Sequence, residues 1–181
     1  ETGSTVIHNL ITSKAVPEII RENGGEPVRT RVGHSFIKAK MAETNAVFGG
    51  EHSAHYYFRD FWRADSGMLA AMHVLAALGQ QDKPLSEMMA KYNRYAASGE
   101  INSRLDSAEA QADRTEAVVK AFADRAENVD RLDGVTVELK DGNWFNVRAS
   151  NTEPLLRLNV EADTQEAVDA LVKEILAIIR A

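Results

Sequence analysis

The first part of the chain alternates short apolar runs with segments whose apolar residues recur every three or four positions. The runs at residues 5–10, 27–32 and 46–48 predict strands, because short apolar stretches bounded by polar residues or glycine are typical of strands. Helices are predicted between them, one ending at Gly24–Gly25 and one over about 35–43. Strands and helices that alternate at this spacing predict parallel pairing in an α/β layer, with ligand loops at the carboxyl ends of the strands.

Two further helices follow these strands. Asp65–Ser66 can cap a helix whose apolar positions we expect in the core, namely Met68, Leu69, Met72, Leu75, Ala76 and Leu78. Pro84 begins another helix, which runs to about Tyr95 and is ended by residues 96–99. We therefore assign residues 1–97 to an α/β/α layered domain with a mixed, mainly parallel sheet, and residues 98–181 to a second domain.

In the second domain the sequence predicts consecutive strands and fewer helices between them. Strands are predicted over 101–105, 135–139, 143–147 and 155–160, with a helix over about 112–126 and a hairpin turn at Lys140–Asn143. Asp163 and Glu166 form a capping box before a final apolar helix. This pattern predicts an α+β domain in which helices pack on an antiparallel sheet.

Composition narrows the possible functions. The 181 residues carry a net charge of −6, which provides no general basic field for a nucleic acid. No apolar run is long enough to cross a bilayer, so we expect neither a nucleic-acid nor a membrane partner. The absence of cysteine excludes disulfides, cysteine-ligated zinc and thiol catalysis, and it fits a cytoplasmic protein.

The turn between the strands at 143–147 and 155–160 combines groups that bind anions. Ser150, Asn151 and Thr152 are bracketed by Arg148 and Arg157. Hydroxyl, amide and backbone N–H donors beside two guanidiniums suit a planar or tetrahedral oxyanion. The alternative is an ordinary polar hairpin turn whose arginines keep the strand ends solvated.

A second polar segment, Gly49–His55, follows the third strand. An extended backbone would put Glu51, Ser53 and His55 on one face, where a carboxylate can accept from two adjacent hydroxyls of a sugar. A metal site through His52 and His55 and an incidental polar turn are the alternatives. Gly49 and Gly50 favour a ligand, because they allow it to approach the backbone closely.

Three segments together resemble the α-D-phosphohexomutase family, in particular its bacterial phosphomannomutase/phosphoglucomutase members. Residues 49–55 resemble the family's sugar-recognition loop, and residues 148–154 with Arg157 resemble its C-terminal phosphate-binding loop. Residues 32–38, which include His34, resemble a third-domain loop that faces the substrate; a capping or solvated histidine is the alternative for His34. Ala54 departs from the glycine of many relatives. The resemblance covers essentially the whole chain, but only the third and fourth of the family's four domains.

The resemblance implies a reaction that interconverts mannose or glucose 6-phosphate and 1-phosphate through a hexose 1,6-bisphosphate, with Mg²⁺ as cofactor. The residues that it assigns to the sugar are Glu51, Ser53, His55 and His34. Those that it assigns to the non-reacting phosphate are Arg148, Ser150, Asn151, Thr152 and Arg157.

The family's phosphoserine loop and its Asp-x-Asp-x-Asp magnesium loop have no counterpart in this sequence. We therefore predict neither a catalytic residue nor a metal ligand in this chain, and we expect the N-terminal domains of the same protein as its partner. On its own the chain is expected to lack mutase activity. A free-standing phosphosugar-binding module and a fragment of a phosphoglucosamine mutase are the alternative interpretations.

Overall fold

The computed structural model describes residues 2–150 and 153–181. The chain forms two compact units, Glu1–Arg94 and Tyr95–Ala181, whereas the boundary predicted from the sequence lies slightly further along the chain, after residue 97. None of the helices in the described ranges combines the length and the apolar character needed to cross a membrane.

The first unit is built on a five-stranded mixed sheet with the strand order β2-β1-β3-β4-β5. Its elements are β1 Thr5–Asn9, α1 Ala15–Glu22, β2 Glu26–Thr30, α2 His34–Thr44, β3 Phe48–Gly50, β4 Tyr56–Phe58, β5 Ala64–Asp65, α3 Gly67–Leu78 and α4 Leu85–Ala90. Strands β2, β1 and β3 are parallel, as the alternating pattern predicts, and β4 and β5 continue the sheet antiparallel. The β4–β5 hairpin was not predicted, because its aromatic residues show no clear alternation with polar ones.

Helices cover both faces of this sheet. Ile37 and Met41 of α2 are fully buried in one core cluster with Ile7 and Tyr57. Gly49 allows α2 to lie this close to the sheet, since a Cβ there would be 2.8 Å from the side chain of Ile37. On the opposite face, the ring of His73 in α3 stacks on Phe58 with centroids 5.5 Å apart. The α/β/α layering therefore agrees with the prediction.

Helix α3 begins as predicted but is not a core helix. The side chain of Ser66 accepts a hydrogen bond from the Leu69 N–H at 3.1 Å, which caps the helix. None of the twelve residues of α3 is buried, however, and Met68, Met72 and Leu75 are 78%, 60% and 65% exposed. The expectation that the apolar positions of α3 lie in the core was wrong, because apolar periodicity identifies a face that needs cover but not the segment that covers it.

The second unit is an antiparallel sheet with two helices on one face. Its elements are β6 Ala96–Ala97, β7 Ile101–Arg104, α5 Ala108–Phe122, β8 Ala126–Asp130, β9 Val135–Leu139, β10 Trp144–Ala149, β11 Leu155–Ala162 and α6 Gln165–Ile179. The strand order is β6-β11-β10-β9-β8, and β7 also pairs with β11. Phe122 of α5 and Ile175 of α6 are buried against Phe145 and Leu158 of the sheet, in agreement with the predicted α+β domain.

Two boundaries in this unit differ from the prediction. Helix α5 begins earlier than expected, after the cap Ser107, and it also ends earlier, at Phe122. Ala126 therefore belongs to the unpredicted strand β8 and not to the helix. Helix α6 is capped by Thr164, whose hydroxyl accepts from the Ala167 N–H at 3.2 Å, and not by Asp163. Adjacent Asp and Thr can both cap a helix, so composition alone does not choose between them.

Candidate functional site

A cavity of about 490 Å³ opens beyond the carboxyl ends of β2 and β3 in the first unit. Its walls are formed by Val32, Gly33, His34, Lys38, Glu51, Ser53, His55, Tyr57, Ala64 and Asp65. The cavity thus brings together the four residues that the sequence assigns to a sugar. The carboxyl ends of parallel strands are where ligands bind in α/β sheets.

Residues 51–55 form a turn, and not the extended backbone that would put Glu51, Ser53 and His55 on one face. The Glu51 N–H donates to the His55 carbonyl at 2.9 Å, and the Ala54 N–H donates to the Glu51 carbonyl at 3.1 Å. Ala54 has a φ of 63°, a left-handed conformation that costs an L-residue about 1 kcal/mol. The turn, and not strand alternation, brings Glu51 and His55 to the same cavity.

Glu51 lines the cavity and is held by two hydrogen bonds. It is 6% exposed, its Oε1 accepts from the Tyr57 hydroxyl at 2.7 Å, and its Oε2 accepts from the Gly33 N–H at 3.0 Å. Gly33 has a φ of 129°, which an L side chain rarely adopts. Each carboxylate oxygen keeps further acceptor capacity, so Glu51 can also accept from a ligand hydroxyl.

His55 is oriented by a carboxylate that the sequence reasoning assigned only to helix capping. The Nδ1 atom of His55 lies 2.5 Å from Asp65 Oδ2, and Asp65 Oδ1 accepts from the Tyr56 N–H at 2.9 Å. The hydrogen bond with Asp65 raises the pKa of His55 above its ordinary value. Burial acts to raise the pKa of Asp65, but its hydrogen bonds with His55 and Tyr56 outweigh burial and lower it. Nδ1 is therefore engaged, and Nε2 is the ring nitrogen that can donate to a ligand oxygen.

Substituting Asp65 by Asn should lower the pKa of His55 toward its ordinary value of 6.5. The pair favours the protonated imidazole, so its contribution to stability is complete below pH 6.5 and is lost as the pH rises through the raised pKa of the folded state. An NMR titration of the His55 ring protons measures the shift. Asp60→Asn is the matched control, since Asp60 pairs with Arg59. An unchanged titration in the Asp65 variant would contradict the assignment.

Lys38 lines the cavity, although the sequence analysis assigned it no role in a site. It lies one turn after His34, the exposed first residue of α2, and both line the cavity. The i, i+4 spacing puts both side chains on one helix face and was the signal that could have found Lys38. Tyr57 was missed because its hydrogen bond to Glu51 depends on the unpredicted strand β4.

In the second unit, Arg148 of β10 and Arg157 of β11 are directly opposite each other in the antiparallel pair. Like charges in this arrangement are unfavourable. Glu100 offsets them, with carboxylate oxygens 3.4 Å from Arg157 and 3.9 Å from Arg148. Arg157 also donates to the Ser150 hydroxyl at 3.2 Å. The two guanidiniums and the serine therefore share one polar cluster.

Two donors of this cluster are unsatisfied among the described residues. The buried Nε atoms of Arg148 and Arg157 have no hydrogen-bond partner among the described residues, and an unsatisfied buried donor costs about 1–3 kcal/mol. The backbone of Gly134 lies directly against that of Val147 and Arg148. A Cβ on residue 134 would be 2.3 Å from the Val147 carbonyl oxygen and 2.8 Å from the Arg148 Cα. Asn151 and Thr152 lie outside the described residues, so their assignment to the phosphate stays a prediction.

A metal centre is not apparent in the part of the chain that the structure describes. Over residues 2–150 and 153–181, no three histidine or acidic side chains lie together in a way that could hold a metal ion.

Comparisons with known proteins agree with this architecture. Two models of one family match the chain in succession. The model of the phosphoglucomutase/phosphomannomutase alpha/beta/alpha domain III matches residues 1–95, and that of the phosphoglucomutase/phosphomannomutase C-terminal domain matches residues 100–178.

Individual proteins that are similar to this chain carry names from the same family or share its fold. A phosphomannomutase of Methanocaldococcus jannaschii is 40% identical over 99% of this chain, which spans 38% of that protein. The crystal structure of a phosphoglucomutase/phosphomannomutase family protein from Burkholderia thailandensis superposes with a TM-score of 0.81 at 29% identity, over 99% of this chain and 38% of that one. An Aspergillus fumigatus N-acetylphosphoglucosamine mutase, in a complex with GlcNAc-6P and magnesium, shares the fold at a TM-score of 0.66 and 16% identity, over 97% of this chain and 38% of that one. The chain belongs to the phosphoglucomutase/phosphomannomutase family and contains the regions that match its domain III and its C-terminal domain.

Proposed function

We propose that this chain is the ligand-positioning part of a phosphomannomutase or phosphoglucomutase. The first unit binds the hydroxyls of a hexose phosphate, and the second unit binds the phosphate that does not react. The longer protein interconverts hexose 6-phosphate and hexose 1-phosphate through a hexose 1,6-bisphosphate, in the cytoplasm. Its phosphoserine and its magnesium ligands lie in domains outside this chain.

The observation that carries the proposal is the cavity around Glu51. A carboxylate fixed by Tyr57 and Gly33 lies beside Ser53 and His55, so an acceptor and two further hydrogen-bonding groups converge on one space. Two adjacent sugar hydroxyls need this combination, since each donates one hydrogen bond and accepts others. In the second unit, Arg148 and Arg157 supply forked donors that suit a phosphate.

These contacts would act on parts of the ligand that do not change during the reaction. Binding energy from remote groups orients the reacting oxygen and lowers the entropic part of the barrier. With such a division of labour, the cavity contributes to the rate without supplying the nucleophile of the reaction. Magnesium, when bound by the other domains, would supply charge stabilisation for the phosphoryl group.

An NMR titration of the ¹⁵N-labelled chain tests the proposal. Mannose alone should shift amide signals around Gly33 and residues 51–57, and inorganic phosphate should shift those around Ser150 and Arg157. Mannose 1-phosphate should shift both sets, because it carries both groups.

Two results would count against the proposal. If mannose 1-phosphate left the amides of residues 51–57 unchanged, the sugar assignment would fail. If glucosamine 6-phosphate bound at least about tenfold more tightly than mannose 6-phosphate, a difference of about 1.4 kcal/mol, the chain would instead belong to a phosphoglucosamine mutase.

A further inference from the structure

Lys38 of α2 brings a positive charge to the cavity that contains Glu51. Its side chain is exposed and lines the cavity, and it forms no hydrogen bond or ion pair with the residues that the structure describes. Lys40 on the same helix differs, because its Nζ lies 2.7 Å from Glu43 Oε2. The charge of Lys38 is therefore available to a ligand in the cavity.

The two carboxylates that line the same cavity are engaged with other groups. Asp65 Oδ2 lies 2.5 Å from Nδ1 of His55, and this contact raises the pKa of His55, so the charge of Asp65 is balanced locally. Glu51 is 6% exposed and accepts from two donors of the protein. Neither carboxylate pairs with Lys38, so the protein leaves the lysine charge to an anionic group of the ligand.

We propose that Lys38 is a second phosphate-binding group of the chain, which contacts a phosphate carried by the hexose in the cavity. The inference rests on the proposed function and extends it, because the phosphate subsite named there is the pair Arg148 and Arg157 of the second unit. A neutral hexose requires no cation, whereas a phosphate monoester carries between one and two negative charges near pH 7. A hexose 1,6-bisphosphate has two such groups, and Lys38 would bind the one that the arginines do not hold.

The position and the chemistry of Lys38 suit a phosphate whose place on the sugar varies. His34 and Lys38 are four residues apart in α2, so one face of the helix presents both to the cavity. The ammonium group is a point charge on a flexible stem, whereas the planar fork of arginine is more demanding in its geometry. Lysine can therefore follow a phosphate that stands on O1 in one ligand and on O6 in another.

NMR titrations of the 181-residue chain test this role in an Arg148→Ala background, which weakens the phosphate subsite of the second unit. The amide signals of Gly33 and residues 51–57 report binding in the cavity. Mannose 6-phosphate should bind there about 3- to 5-fold more tightly than mannose, because an ion pair with an exposed lysine contributes modestly. Lys38→Met should abolish the difference. Raising the salt concentration to about 0.5 M should reduce it, since salt screens exposed charges.

Two further variants make the result specific to Lys38. Lys40→Met removes an equal charge from the same helix, but Lys40 is paired with Glu43, so the preference for mannose 6-phosphate should remain. Lys38→Arg keeps the charge and should retain most of the preference. Equal affinities of the Arg148→Ala chain for mannose and mannose 6-phosphate would overturn the inference. A preference that survives Lys38→Met would also overturn it.

These titrations distinguish a failure of the inference from a failure of the proposed function. If mannose shifted the amides of residues 51–57 and the phosphate added no affinity, the sugar site would stand and Lys38 would not bind phosphate. If neither ligand shifted those amides, the proposed function would fail, and the inference would fail with it.

Discussion

Replacing Arg148 by alanine should weaken the binding of inorganic phosphate to this chain by about 10- to 100-fold. Arg148 is 7% exposed, its Nε has no hydrogen-bond partner among the described residues, and it lies opposite Arg157 across the β10–β11 pair. A charge-assisted hydrogen bond to a phosphate contributes about 1.5–3 kcal/mol, and each 1.4 kcal/mol corresponds to about a factor of ten in Kd. Isothermal titration calorimetry measures the change.

Two companion variants make this result specific. Arg131→Ala removes the same charge from the same unit, but Arg131 is paired with Glu116 at 2.6 Å, so phosphate binding should not change. Glu100→Gln should have the opposite sign and strengthen binding by about 3- to 10-fold, because Glu100 competes with the anion for both guanidiniums. Equal losses in the Arg148 and Arg131 variants would indicate a general charge effect and contradict the site.

The order of apolar and polar residues was sufficient to predict those parts of the Arg148–Arg157 cluster and of the Glu51 cavity that depend on residues close together in the sequence. Strand alternation around the turn at Ser150 predicts β10 and β11 and thereby puts Arg148 and Arg157 near each other. The succession of strands and helices at 5–48 likewise predicts the edge of the sheet at which Glu51 and His34 lie. Both inferences rest on backbone periodicity, which the sequence displays directly.

Contacts between distant residues were not predictable in the same way. Asp65 reaches His55 only because β4 and β5 pair as a hairpin, and the sequence there is an aromatic run without alternation. Gly134 touches the backbone of Arg148 through the register of β9 and β10. The exposure of α3 was missed for a different reason, since apolar residues indicate a helix face suited to burial but not whether another segment of the chain covers that face.

Substituting Glu51 by glutamine should destabilise the first unit by about 2–4 kcal/mol. The Glu51 carboxylate accepts from both the Tyr57 hydroxyl and the Gly33 N–H, and a carboxamide offers one oxygen and one NH₂ group. The amide oxygen can still accept from the Gly33 N–H, and the NH₂ group can donate to the Tyr57 oxygen, but the buried Tyr57 hydroxyl proton then loses its acceptor. The charged acceptor is also lost, and hydrogen bonds to charged groups contribute about 1.5–3 kcal/mol each. Urea denaturation followed by the tyrosine and tryptophan signal measures the loss.

A double-mutant cycle with Tyr57→Phe identifies the cause of this loss. Tyr57 is fully buried, and phenylalanine keeps its ring while removing the donor that opposes Oε1. Glu51→Gln should therefore cost less in the Tyr57→Phe background than in the native chain, by about 1–2 kcal/mol, because contacting residues couple on this scale. If the two losses simply add, the hydroxyl does not hold the carboxylate, and Glu51 is anchored by the Gly33 N–H alone. A positive coupling would make Tyr57 a positioning residue for the Glu51 carboxylate in the cavity.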